Sequence, residues 1–180
     1  QFRAHGRDGR LQREYLAFVW GVPERRAATI STGLARSTAN RQKIAVSNGA
    51  AAKEAITHYV VAETFGGVAS LVRCNLETGR THQIRVHMAH IGHPGMGADI
   101  YGAGFKTASS RLRPAARDAL IALSRQALHA QTLGFEHPVT GEPLSFDRPP
   151  PPDMALLIAT LEETSGPSGA SDQNQPLRRK

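Results

Sequence analysis

Alternating hydrophobic and polar positions predict a series of β-strands in the first half of the chain. The stretch Glu14–Trp20 is apolar on both alternating faces and is followed by Gly21-Val22-Pro23, a pattern typical of a strand covered on both sides. The runs Ala55–Glu63 and Val68–Leu76 alternate clearly and flank the turn Phe65-Gly66-Gly67. They predict an antiparallel hairpin.

Shorter strands are predicted on either side of this hairpin. Thr29–Leu34 and Ile44–Val46 lie within a polar, basic region, and Leu128–Phe135 with Leu144–Phe146 predicts a second hairpin. Strands outnumber helices and their connections are those of antiparallel pairs. The predicted class is therefore α+β, with a mixed, mainly antiparallel sheet and flanking helices.

Periodic apolar positions predict three helices. The first starts at Thr81 as N-cap and stops at Gly92, and the second runs from Pro114 to about Gln126. Asp153 caps the third, whose apolar stripe is formed by Met154, Leu157, Ile158 and Leu161. We expect one domain over residues 1–163, followed by a disordered basic tail over residues 164–180.

Charge and cysteine content narrow the functional classes. The net charge is +7 and the pI is about 10.3, which favours a polyanionic partner, although a solvated basic surface accounts for the charge equally well. The only cysteine, Cys74, excludes an intrachain disulfide, so we expect a cytoplasmic protein. No apolar run approaches the roughly 18 residues of a membrane span.

The segment Leu76–Gly102 concentrates the chemically capable residues, and it reads L-E-T-G-R-T-H-Q-I-R-V-H-M-A-H-I-G-H-P-G-M-G-A-D-I-Y-G. Its helical stripe places Arg85 at the edge of the apolar face, where the stem can pack while the guanidinium faces a cleft. Arg80 and His82 lie where the backbone N–H groups of a helix start favour anions. The pattern suggests a site for a phosphate-rich ligand.

Other chemistries find less support. His87, His90 and His93 are spaced H-x-x-H-x-x-H, but Gly92 interrupts the helix and no cysteine or carboxylate stands at ligand spacing. We therefore favour packing histidines over a zinc site, which remains the minor alternative. No G-x-S-x-G elbow, Walker loop or dinucleotide-binding fingerprint occurs. The predicted site is cationic and has no obvious nucleophile.

The run L-E-T-G-R-T-H-Q-I-R-V-H, followed by G-H-P and Y-G, resembles the signature segment of the RluA-type pseudouridine synthases. Residues 13–21 resemble that family's strand with its active-site tyrosine, and residues 126–130, 134–138 and 152–154 resemble its C-terminal segments. The resemblance extends over residues 1 to about 163. It implies a central RNA-binding cleft in the α+β fold.

The resemblance also implies an activity, the isomerisation of uridine to pseudouridine in structured RNA without a cofactor. Tyr15 would stack on the flipped uracil and assist proton removal from C5, and Arg85 would pair with the catalytic aspartate. Arg80, His82 and Gln83 would bind RNA or shape the cleft. We expect ribosomal RNA as the partner, with transfer RNA as the alternative, no bound metal, and a monomer.

Two departures from the family pattern qualify this expectation. The family's catalytic aspartate lies in an R-L-D-x-x-T-S-G segment ahead of the tyrosine strand, which this sequence lacks, and Asp8 does not match it. After G-H-P the chain has Gly97-Ala98-Asp99 where the family has Gly-Asp. We expect an N-terminally truncated catalytic domain that is inactive by itself. A non-catalytic RNA-binding module is the alternative.

Overall fold

The computed structural model describes residues 11–97 and 108–165, and within them a seven-stranded sheet in which every pairing is antiparallel. The strand order is β3-β2-β4-β5-β1-β6-β7, which places β1 among the inner strands. The strands are β1 (Leu11–Trp20), β2 (Ala27–Arg36), β3 (Ile44–Val46), β4 (Lys53–Phe65), β5 (Ala69–Leu76), β6 (Leu128–Glu136) and β7 (Pro143–Asp147). The predicted strands and the α+β class are confirmed.

Strand β1 separates the two layers of the core, as its doubly apolar pattern predicts. Leu16, Phe18 and Trp20 pack into a cluster with the helices α2 (Pro114–Leu123) and α3 (Pro152–Ser165). Ala17 and Val19 point to the opposite face and pack with residues of α1 (Gln83–His90). Successive strand residues point to opposite faces, so this one segment contributes to both layers.

The two later helices pack as predicted, but their ends differ from the prediction. Helix α3 starts at Pro152, so Asp153 lies in its first turn and is not its N-cap. Met154, Leu157 and Leu161 of α3 are fully buried, which confirms the apolar stripe. Helix α2 begins with Pro114 at its first turn but ends at Leu123, before the predicted Gln126. It stops there because Ser124 adopts a left-handed conformation with φ 48°.

Helix α1 begins later than predicted. Its N-cap is His82 rather than Thr81, and the His82 side chain makes no capping hydrogen bond. The helix ends at His90, and Gly92 follows with φ 89°, the positive value that glycine adopts readily. The predicted stop at Gly92 is confirmed, whereas the predicted N-cap is wrong.

Several predictions concern residues outside the described ranges. Asp8 and Asp99 lie there, as does most of the predicted tail, so the domain boundary at residue 163 stays a prediction. Within residues 11–97 and 108–165, none of the helices has the length and apolar character needed to cross a bilayer.

Candidate active site

The ends of several neighbouring strands lie together on one side of the sheet, and this row of strand ends is called here the upper edge. The registers Leu34↔Lys53 and Thr57↔Leu76 bring the end of β2, the start of β4 and the end of β5 together. Glu14↔Asn75 adds the start of β1. The loop of residues 77–82 leaves β5 at this edge and leads into α1. Antiparallel pairing alone thus assembles segments that are distant in sequence.

Tyr15 lies near the upper edge on β1, on the same face of the sheet as α1. It is half-buried and packs against the apolar cluster that includes Ile84 and Met88 of α1. Its backbone pairs with Cys74 on one side and Ala130 on the other. The residue is therefore packed against this cluster on one side, while part of its surface remains accessible.

Arg85 lies on α1 beside these two apolar residues. The residue is half-buried and its Nε atom is buried, whereas Ile84 and Met88 are almost fully buried. The sequence placed Arg85 at the edge of an apolar stripe, and its intermediate burial agrees with that position. Tyr15 and Arg85 thus belong to the same layer of the structure. Their catalytic roles stay predictions.

His82 joins the loop of residues 77–82 to α1 in a strained conformation. Its φ of 58° and ψ of 18° lie in the left-handed region, which costs a residue other than glycine roughly 1–2 kcal/mol. Burial and the nearby charge of Arg85 lower the pKa of His82 below its ordinary value, so its imidazole is mainly neutral at pH 7. The surroundings must stabilise this bend.

Gln83 supplies much of that stabilisation. Its Oε1 accepts hydrogen bonds from the Thr78 hydroxyl at 2.9 Å and from the backbone N–H of Arg80 at 3.0 Å. Its Nε2 donates to the carbonyl of Ile56 and to the Thr57 hydroxyl oxygen, both at 3.0 Å. Because Gln83 is only 2% exposed, its amide ties the loop to β4. A direct contact with RNA would require some of these bonds to break.

His87 extends this polar network beneath α1. Its Nδ1 lies 2.9 Å from the Thr57 hydroxyl and its Nε2 lies 3.0 Å from the Thr32 hydroxyl. Burial, with a smaller effect from His90, lowers the pKa of His87 to about 4. The imidazole is therefore neutral and fully engaged with two hydroxyl groups.

The histidine spacing that suggested a metal has another explanation in the structure. His87 uses both ring nitrogens for threonine hydroxyls, and His93 lies with Nδ1 2.9 Å from the carbonyl of Trp20. In the part of the chain that the structure describes, no group of three or more His, Cys, Asp or Glu side chains is arranged to hold a metal ion. Hydrogen bonding accounts for the positions of His87 and His93, while His90 is exposed.

Arg80 lines a cleft of about 620 Å³ at the upper edge. Its Nε donates to the carbonyl of Glu54 at 2.9 Å, which fixes the side chain along the start of β4. Its sequence neighbours Glu77, Thr78, Gly79 and Thr81 also line the cleft. The predicted anion-binding residue thus faces an open, basic hollow.

Arg13 is a further candidate that was not singled out in the sequence. Its Nη2 donates to the carbonyls of Leu76 at 3.3 Å and Glu77 at 3.1 Å, and its guanidinium lies against Gly79, where a Cβ atom would clash with it. Burial lowers the pKa of Arg13, and the nearby Tyr15 partly opposes this shift. The sequence could have indicated Arg13, because side chains two residues apart on a β-strand point to the same face and Arg13 therefore shares the face of Tyr15.

Comparison with known proteins gives consistent results. The sequence model described as RNA pseudouridylate synthase matches residues 1–90. An uncharacterized RNA pseudouridine synthase of Chlorobaculum parvum is 47% identical over 155 residues, which are 84% of this chain and 47% of that protein. Ribosomal large subunit pseudouridine synthase D of Zymomonas mobilis is 43% identical over 154 residues, 86% of this chain and 46% of that protein.

Solved structures also resemble this chain. The human RNA Pseudouridylate Synthase Domain Containing 1 superposes with a TM-score of 0.63 at 25% identity, covering 92% of this chain and 71% of that one. The human RNA Pseudouridylate Synthase Domain Containing 4, at 21% identity and a TM-score of 0.66, covers 88% and 65% and supports the fold alone.

The chain spans about half the length of the curated relatives it matches, namely 47% and 46% of the two described above. The family match covers half of the chain and includes β1, the loop of residues 77–82 and all of α1. The chain therefore belongs to the RNA pseudouridylate synthase family.

Proposed function

We propose that the protein containing this chain isomerises uridine to pseudouridine in ribosomal RNA. The observation that carries this proposal is the family match over residues 1–90, which includes both Tyr15 and Arg85. Several relatives bear the name ribosomal large subunit pseudouridine synthase D, which favours ribosomal RNA over transfer RNA. The basic charge of +7 agrees with a nucleic-acid substrate.

In this proposal each site residue has a separate role. The target uridine leaves its stack, the bond between ribose and N1 breaks, and the base turns. The ribose is then rejoined at C5, which loses its proton, and N1 takes up a proton, so that the product is an isomer of uridine. Tyr15 stacks on the extruded uracil from its supported position on β1 and assists removal of that proton. Arg85 pairs with the family's catalytic aspartate, for which residues 1–180 contain no matching R-L-D-x-x-T-S-G segment.

The remaining predicted residues form the RNA-facing loop and its support. Arg80 and His82 contact RNA, since Arg80 lines the cleft and His82 is half-buried at the start of α1. Gln83 acts by holding the loop of residues 77–82, because its amide is already bonded to four protein groups. Shaping the cleft, rather than touching RNA, is the role that its geometry supports.

The decisive experiment maps pseudouridine in ribosomal RNA from cells with and without the intact gene. Deletion should remove at least one modified position, and the complete gene product should restore it. Arg85→Ala should reduce the rate at least about 100-fold, as expected when a charge that stabilises the reacting groups is lost. Arg117→Ala, an exposed change on α2, serves as the matched control and should keep the wild-type rate.

Tyr15 variants separate stacking from proton removal. Tyr15→Phe keeps the aromatic face, so a loss of roughly 100-fold or more would assign a proton-transfer role to the hydroxyl. Tyr15→Ala removes both functions and should be slower still. An unchanged pseudouridine map after gene deletion would contradict the proposal and favour a non-catalytic RNA-binding module.

The proposal also covers the compartment, the oligomeric state and the cofactor requirement of the protein. We propose a cytoplasmic monomer that needs no cofactor, and we expect the 180-residue chain by itself to be inactive. Dialysis of the complete protein against a chelator should leave its rate unchanged. Sedimentation with and without RNA measures its oligomeric state.

A further inference from the structure

Three arginine side chains at the upper edge are held by backbone carbonyls. Arg13 donates to Leu76 and Glu77, and Arg80 donates to Glu54. Arg36, at the end of β2, donates through Nη1 to the carbonyl of Arg41 at 3.2 Å. A carbonyl orients a guanidinium without neutralising it, so these hydrogen bonds leave the charge available to an anion.

The same cleft gathers these arginines with a lysine. Arg13, Arg36, Lys53 and Arg80 line it, and among the lining residues that the structure describes Glu77 is the only carboxylate. The Oε1 of Glu77 lies 2.6 Å from Nε2 of His58, which takes up part of its hydrogen-bonding capacity. Four cations against one carboxylate give a formal charge of +3 in about 620 Å³. Focusing of this kind raises the local concentration of anions.

The cleft lies close to the candidate catalytic residue Tyr15, because Arg13 of the same strand lines it. Arg13 lines it and lies two residues before Tyr15 on the same face of β1, so their Cα atoms are roughly 6–7 Å apart. An anion bound at Arg13 would therefore lie beside a base stacked on Tyr15. A nucleotide strand satisfies both conditions, because it carries a phosphate at each step.

We propose that Arg13, Arg36, Lys53 and Arg80 form a phosphate-binding track for the RNA strand next to the reacting uridine. This inference rests on the proposed function and assigns the cleft to the backbone on one side of the target. Arg13 and Arg80, fixed by carbonyls, hold the phosphates near Tyr15. Arg36 and Lys53 are exposed at the far end and guide the strand that leads away.

The test uses the exposed end, where substitution leaves the core intact. The complete protein carrying Arg36→Gln and Lys53→Gln is compared with one carrying Arg113→Gln and Arg117→Gln, two exposed arginines at the N-cap and near the start of α2. Both double variants lose two positive charges. The measurement is the affinity for a fluorescent single-stranded RNA containing the target uridine, across a series of salt concentrations.

The cleft variant should have a shallower salt dependence. The slope of the logarithm of its association constant against the logarithm of the salt concentration is negative, and its magnitude should decrease by about 1.4 for two lost phosphate contacts. The α2 variant should keep the wild-type slope. In turnover, the cleft variant should lose more in kcat/KM than in kcat, because the contacts serve binding. Equal slopes for the two double variants would overturn the proposal.

The outcomes also separate this proposal from the proposed function. If the wild-type protein forms pseudouridine but both double variants behave alike, only the phosphate track is wrong. If the slopes differ as expected but no pseudouridine forms, the track is supported and the catalytic assignment is wrong. Arg13→Gln provides a second measurement, since its loss should also weaken binding in whatever fraction folds.

Discussion

The two faces of the sheet are buried by different means. The face under α2 and α3 is filled mainly by apolar side chains such as Phe18, Phe65 and Met154, each at most 1% exposed. Under α1, Thr57, Gln83 and His87 are also at most 2% exposed, but they are joined by hydrogen bonds. Apolar burial stabilises without fixing directions, whereas hydrogen bonds specify geometry. The first face supports the domain and the second positions the loop.

The largest effect should come from the apolar face. Phe18 is fully buried, and its ring centroid is 6.0 Å from that of Phe65. Phe18→Ala should lower the free energy of unfolding by about 3–5 kcal/mol, since it removes buried area and leaves a cavity. Urea unfolding of the complete protein measures this loss. A decrease of less than about 1 kcal/mol would show that the apolar face does not stabilise the domain as described.

A smaller effect is expected from the hydrogen-bonded face. Thr57→Val keeps the shape of a fully buried residue but removes the hydroxyl that contacts Gln83 and His87. Leaving buried polar groups unsatisfied should cost about 2–3 kcal/mol. Ser70→Ala is the comparison on β5, because the Ser70 hydroxyl makes one hydrogen bond, to Gly21, remote from the loop. Only Thr57→Val should also slow RNA modification.

The same network predicts a dependence of stability on pH. The folded pKa of His87 is about 4, below its ordinary 6.5, so the unfolded chain binds more protons between these values. This contribution is complete above about pH 6.5 and is lost as the pH falls towards 4. Between pH 7 and pH 5 the loss should be roughly 2 kcal/mol. His87→Gln should flatten this part of the stability curve, and an unchanged curve would contradict the assignment.

The sequence predicted the fold more completely than the site. Strands such as β1 and β5 were recognisable because alternation is a local property. The start of α1 was missed because His82 is held by Gln83, whose amide is bonded to Ile56 and Thr57 on β4, 27 and 26 residues away. Arg13 was missed for the same reason, as its acceptors lie 63 and 64 residues further along the chain. Such contacts exist only once the strands have paired.

The smallest expected effect concerns His82, where the backbone itself is tested. His82 has a φ of 58°, so His82→Gly should relieve a strain of roughly 1–2 kcal/mol. Glycine also increases the conformational entropy of the unfolded chain, so the net change in the free energy of unfolding should stay within about 1 kcal/mol. His82→Val should be less stable than His82→Gly by roughly 1–2 kcal/mol, because a β-branched residue is a poor fit to this region.

His82→Asn completes the comparison, because asparagine tolerates the left-handed region and lacks the imidazole. If His82 serves only as a bend, the asparagine variant should modify RNA at nearly the wild-type rate, and the glycine variant somewhat more slowly because its loop is less constrained. If the imidazole contacts RNA, the asparagine and glycine variants should weaken RNA binding equally. Equal stability of the valine and glycine variants would mean that the bend at His82 is not maintained in solution, and the hydrogen-bonded face would lose its role in fixing the loop.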